Sequence, residues 1–199
     1  MPQGRLPLNI FEPRYVAMVE DALKGDRMIG MVQPQQHNAE STMSEPPVYG
    51  KGCAGRITSF RETRDGRFEI VLDGISRFEI VRESGLRRGY RVAEVRWDLF
   101  AADRDEDISD DSNATAARAR ILVALRGFLT GKGSAIEGSG VTELPLRELI
   151  AAVAMSCPFA PAEKQALLEA QGVGECAALL VSLLDMAVHE SEGRTIPRQ

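Results

Sequence analysis

A chain of 199 residues, 44% of them hydrophobic, is long enough for one large domain or two small ones with real cores, which excludes disorder throughout. A net charge of -5 and a pI near 5.2 argue against a general binder of nucleic acid or anionic membrane, because such surfaces carry a basic surplus that neutralises phosphates. The acidity belongs to the second half: residues 1–100 hold 15 Lys/Arg against 14 Asp/Glu, and residues 101–199 hold 9 against 15.

The first element ends in "NIFEPRY", Asn9 to Tyr15, where a carboxylate and an arginine flank a proline. Ile10-Phe11 closes an extended segment. Glu12 precedes Pro13 and is pushed out of the helical region, while Pro13 suits a first helical position. From there "RYVAMVEDALKG" sets Tyr15, Met18, Val19, Ala22 and Leu23 on one stripe and ends at Gly25, a natural C′ residue. Glu12 and Arg14 therefore belong to a strand-to-helix corner, as architecture rather than chemistry.

"RMIGMVQ" is a short strand, followed by "PQQHNAESTMSEPP", a polar, Pro-bounded loop. From Val48 to Trp97 the pattern is β, with short alternations separated by Gly or Asp-Gly and a hairpin signal at Asp65-Gly66. "RFEIV" occurs at Arg67 to Val71 and again at Arg77 to Val81, which reads as two successive strands sharing an inward phase. After "YRVAEVRW" the acidic "DLFAADRDEDISDDSNA" marks a boundary near Asp103 to Ser112. Beyond it "ATAARARILVALRGFL", "LPLRELIAAVAM", "PAEKQALLEA" and "ECAALLVSLLDMAVHE" are helical. The expected fold is α+β: a β domain over 1–102, an acidic linker over 103–113, a small helical bundle over 114–190 and a tail over 191–199.

Chemistry-bearing patterns are weak. "TGKGS" lacks both the leading glycine and the Ser/Thr after lysine that a phosphate loop needs, and it follows a helix instead of a strand, so no nucleotide is expected. Cys53, between Lys51 and Arg56, has electropositive neighbours that could lower its pKa, but a small packed strand residue is the better reading. Cys157 and Cys176 fall in helical-core patterns. The odd, scattered cysteines fit a reducing cytosol. His37 lies in the polar loop and His189 near a helix end, which supplies neither a catalytic base nor a zinc site, and "DRDEDISDD" lacks the glycine and terminal Glu of a calcium loop. No metal or other cofactor is expected. No apolar run nears the roughly 18 residues that span a bilayer, and "MPQGRLPLNI" has no signal-peptide core, so the chain is expected in the cytoplasm without a membrane partner.

The best binding candidate is "VRESGLRRGYRVAEVRW", where Arg82, Arg87, Arg88, Arg91 and Arg96 alternate with Tyr90 and Trp97. Arg87, Arg88, Tyr90 and Arg91 are the residues singled out. Arginines with aromatics can grip RNA phosphates and stack on bases. Solvent-facing arginines on a hairpin, with Tyr90 and Trp97 inward, need no ligand at all.

Together, "LPLNIFEPRYVAMVEDAL", "RMIGMVQP", "YGKGCAGRI", "FEIVLDGISRFEI" and "AMSCPFAPAEKQALLEA", spread from residue 6 to 170, resemble the N-terminal substrate-binding domain of the Lon ATP-dependent proteases, and more closely its stand-alone bacterial relatives. The first stretch and "G-x-x-R-F" in "DGISRF" are the specific carriers. The resemblance implies a β pseudo-barrel of the pseudouridine-synthase-associated RNA-binding (PUA) type followed by a helical bundle. It also implies a non-enzymatic module that offers extended peptides a groove between the two and acts as an adaptor or regulator of proteolysis. RNA is the alternative partner, because PUA-like folds commonly serve RNA. Family members begin with a further strand ahead of "LPL-x-IFEPRY", and Met1 falls inside the loop that follows it. This implies either a mis-called start or a barrel short of one strand, with an exposed backbone edge.

Overall fold

The computed structural model describes residues 1–35, 46–104, 112–131 and 140–193, with backbone alone at 112 and 190–193. Residues 36–45, 105–111, 132–139 and 194–199 lie outside the described residues, and with them His37, most of the expected acidic linker, Lys132 to Ser134 and the end of the tail. The protein is α+β and divides into two compact units, Met1–Glu106 and Asp107–Gln199.

In the first unit an antiparallel sheet is built from β1 (Arg5–Ile10), β2 (Met28–Met31), β3 (Lys51–Glu62), β4 (Phe68–Arg87) and β5 (Tyr90–Arg96), with helix α1 (Pro13–Leu23) between β1 and β2. The order is β1-β4-β3-β2, and β5 also pairs with β4. Pro7 sits opposite Val71 on edge strand β1, where a missing amide leaves no ladder bond unmade. The stripe expected on α1 is the one observed: Val19 is fully buried, and Tyr15, Met18, Ala22 and Leu23 pack with it against Ile10, Ile29, Ile57, Phe68, Ile70 and Leu72. Each such side chain removed from water contributes about 1.5–3 kcal/mol.

The "NIFEPRY" corner forms as expected. Glu12 is the N-cap residue with extended backbone, Pro13 opens the helix, and the Arg14 Nε–H donates to Glu12 Oε2 at 3.0 Å. Gly25 follows the Lys24 C-cap as the C′ residue expected, but the positive φ comes at Arg27 (φ 58), whose amide reaches the Ala22 carbonyl at 3.0 Å to turn the chain into β2. One local expectation is corrected. The two "RFEIV" copies are not successive strands but two stretches of one 20-residue strand, β4, in which Phe68, Ile70, Leu72 and Phe78 are buried in a shared phase. The two glycines of β4 do not end the strand. A side chain at Gly74 would strike the Met1 carbonyl, and Gly85 (φ 95) sits at an irregularity in the β4–β5 ladder.

"G-x-x-R-F" also has a structural account. Ser76 is buried, Phe78 meets Trp97 edge to face at 5.8 Å, and the Arg77 guanidinium lies over the Phe100 ring at 4.7 Å. Arg77 forms a fork with Asp103: Nη2 donates to Oδ1 at 2.7 Å and Nε to Oδ2 at 2.8 Å, while the Arg77 amide donates to Oδ2 at 2.9 Å. Asp103 was expected to begin a solvated linker, yet its side chain is only 2% exposed. Two bonds from a fixed guanidinium and one from a backbone amide make that burial tolerable.

The second unit holds α2 (Ser112–Thr130), α3 (Leu146–Ser156), α4 (Pro161–Glu169) and α5 (Val173–Gly193), packed around Ile121, Leu149, Leu167, Leu180 and Leu184. Pro161 opens α4 as expected, and Glu163 reaches back to accept from the Ala160 amide at 2.6 Å. Cys157 and Cys176 are buried. Thr130, the first residue of "TGKGS", closes α2 and donates its hydroxyl to the Arg126 carbonyl at 2.8 Å. His189 lies on α5, its Nδ1 at 2.7 Å from the Asp185 carbonyl oxygen. Among the described residues no helix is long and apolar enough to cross a membrane.

Candidate functional site: a groove in the first unit

Four strands and one helix of the first unit surround a groove of about 570 Å3. Ala54 from β3 and Phe78 and Ile80 from β4 lie among its lining. Ile29 and Gly30 line it from β2, and Ala93 and Val95 from β5, with Trp97 just beyond that strand. Met18, Asp21 and Ala22 line it from α1. Most of this lining is apolar. On β5 the half-buried residues Arg91, Ala93 and Val95 alternate with exposed neighbours, and Trp97 keeps their phase. Tyr90 does not: it sits at the hairpin corner and reaches α1. Tyr90 and Trp97 are nevertheless both half-buried and both line the groove, as expected of inward aromatics.

Arg87, Tyr90 and Arg91 line this groove, and Arg88 stands at the turn beside them. Arg88 (φ 50) and Gly89 (φ 87) form the two-residue connection between β4 and β5. Two successive positive φ values are what the twist of a tight hairpin requires, and they are strained at a non-glycine residue. Arg88 is held there by α1: its Nη1 donates to Asp21 Oδ1 at 2.8 Å and to the Ala17 carbonyl at 3.4 Å, and Nη2 donates to Glu20 Oε2 at 2.7 Å. The Tyr90 hydroxyl donates to Asp21 Oδ2 at 2.9 Å, and Arg87 Nε lies 3.6 Å from the same oxygen. Arg91 sits 3.3 Å from Glu83 and donates to the Pro46 carbonyl at 2.6 Å.

These contacts set the local electrostatics. Asp21 is held below its ordinary 3.8, first by the Tyr90 hydroxyl and then by the Arg88 guanidinium. Tyr90 is pushed up by desolvation and by its bond to Asp21. Arg82 and Arg96, the other two hairpin arginines, pair across the ladder with Glu94 and Glu79. All five arginines of the hairpin segment thus face carboxylates of their own chain. Sequence reasoning missed Asp21 because it used only the apolar stripe of α1, and it missed the groove's rim at β2. The available signal there was Gly30 in the middle of a four-residue apolar strand, since a strand glycine often marks close approach of another backbone.

Cys53 is buried, and burial pushes its thiol up, which removes the activated thiolate that its basic neighbours suggested. No cluster of His, Cys, Asp and Glu suited to a metal ion occurs among the described residues.

The chain resembles two solved structures across nearly its whole length: a Lon N-terminal domain protein from Xanthomonas campestris (TM-score 0.61, 20% identity, 92% of this chain and 90% of that one) and the N-terminal domain of a Mycobacterium avium complex Lon protease (TM-score 0.62, 17% identity, 93% and 91%). Among curated proteins it is 29% identical over 80 residues to Lon protease 2 of Myxococcus xanthus and 28% identical over 86 residues to the Lon protease of Anaeromyxobacter dehalogenans. These matches span 40% and 42% of this chain but only 10% of either relative's length. Residues 1–186 match the ATP-dependent protease La (LON) substrate-binding domain, and the chain belongs to that family.

Proposed function

We propose that this protein is a non-catalytic module that binds polypeptide substrates or protein partners in the cytoplasm, as an adaptor or regulator of proteolysis. The groove of the first unit is the receiving surface, and Arg87, Arg88, Tyr90 and Arg91 form its charged end. What supports this reading is the combination of family membership with an apolar groove whose charges are matched internally. The groove's lining carries the carboxylates of Asp21, Asp26 and Glu83 against the guanidiniums of Arg87 and Arg91, which leaves one negative charge. That balance suits a neutral or basic peptide better than a polyanion.

Trp97 is the chain's one tryptophan and lines the groove, so its emission reports occupancy. Titration with a tryptophan-free polypeptide kept unfolded by reduction and alkylation should shift that emission saturably, and the same polypeptide in its folded state should not. An unchanged spectrum together with no co-sedimentation would refute the proposal. RNA binding is the second reading, since three arginines and Tyr90 converge at one end of the groove. It predicts salt-sensitive RNA binding that disappears in Arg87→Ala/Arg88→Ala.

A further inference from the structure

We infer that the groove receives its polypeptide as an added β-strand, an extended stretch with alternating apolar side chains whose backbone pairs with the free edges of β2 and β5. This rests on the polypeptide-binding reading and specifies its geometry. Among the described residues β2 pairs only with β3, and β5 only with β4. Among the described residues each therefore keeps one edge without a strand partner, and residues of both strands line the same groove. An extended peptide in that groove brings the complementary row on each of its sides, which neither a helix nor a nucleic acid supplies.

The side-chain chemistry agrees. The lining offers apolar surface to one face of a strand (Phe78, Ile80, Val95, Trp97), so a peptide with an apolar residue at every second position fits. Gly30, on the β2 rim, is solvent-exposed, and a side chain there would come within 3.1 Å of the Phe78 ring. Its absence makes room for that ring, which forms part of the groove's apolar lining. The single unbalanced carboxylate of the lining favours a peptide with a basic end.

The test uses the whole chain and three fluorescent peptides of about seven residues, a typical strand length. The first alternates valine and threonine and ends in lysine. The second has the same composition with its valines contiguous. The third repeats the first with alternate backbone amides N-methylated. The expected result is polarisation binding to the first, with affinity at least about tenfold weaker for each of the others, because the second loses the burial of one or two apolar side chains and the third one or two backbone hydrogen bonds. Ala93→Arg, which fills the groove from β5, should weaken the first peptide by a similar factor while keeping the wild-type circular dichroism and thermal midpoint.

Equal binding of the N-methylated peptide overturns strand addition and leaves polypeptide binding intact. Binding of the unfolded polypeptide without binding of the alternating peptide does the same. Dimerisation that rises with concentration and is lost in Ala93→Arg, with no peptide binding, also overturns the inference, because the occupant is then a second copy. Failure of every peptide and of the unfolded polypeptide refutes the function itself.

Discussion

Arg77 and Arg88 both meet an aspartate at hydrogen-bond distance, yet the two pairs differ in what surrounds them. The Arg77–Asp103 side chains are 13% and 2% exposed, and those of Arg88–Asp21 are 46% and 17% exposed. The inner pair has exchanged water for a two-point side-chain fork against an aromatic ring, with a backbone amide as third donor, so each partner is costly to leave alone. The outer cluster keeps solvent at its guanidinium, and its worth is screened and small for each pair. The same chemistry therefore fixes the end of the first unit in one place and only steadies a hairpin in the other.

The contrast can be broken from its strong end. Asp103→Ala should destabilise the first unit by about 3–5 kcal/mol in urea unfolding, because it strands a mostly buried guanidinium. Recombining it with Arg77→Met should show coupling of about 0.5–3 kcal/mol, since the second change removes the stranded charge. Additive losses would mean that the two side chains act independently. At the outer cluster, Asp21→Asn should lower the unfolding midpoint by less than Asp103→Ala, and its effect should shrink as salt is raised. A loss as large as that of Asp103→Ala would erase the distinction.

Acid sharpens the same point. Asp21 has a folded-state pKa below its ordinary 3.8, so its contribution is complete above that value and is lost as pH falls through the lower folded one. The difference in stability between wild type and Asp21→Asn should accordingly vanish at the acid end of a pH series. Glu12→Ala should have the smallest effect. The Glu12–Arg14 pair is close to half exposed on both sides, and thermal unfolding should not register its removal.

Features governed by neighbours in sequence were legible in advance. Pro13 and Pro161 open helices as expected, Asp65-Gly66 turns a hairpin, and the stripe on α1 packs inward. Features governed by distant partners were not. Asp103 looks like a solvated acid until β4 brings Arg77 to it, and the hairpin arginines look available until α1 supplies Glu20 and Asp21. The β4–β5 turn was hidden because Arg-Gly replaces the usual Asn-Gly, and its strain is offset by contacts 67 and 68 residues away. The groove was illegible for the same reason: its walls come from five elements that only the sheet assembles.

Strand β4 bonds to β1 and β3 on its two sides through its first part and to β5 through its last, so it carries most of the sheet's connections. During synthesis this imposes an order. Residues through β3 emerge with their apolar faces uncovered, since β1 has no partner until Phe68 to Asp73 appear and α1 has no clamp until Arg88 and Tyr90 follow. The wait is long in sequence and slow to close. Ribosome-arrested chains that expose only β1 to β3 should be protease-sensitive, and those that expose the chain through Arg104 should be protected. A domain of a family matched to substrate binding thus begins its own life as the kind of unpaired, extended chain that the proposed function assigns to its groove.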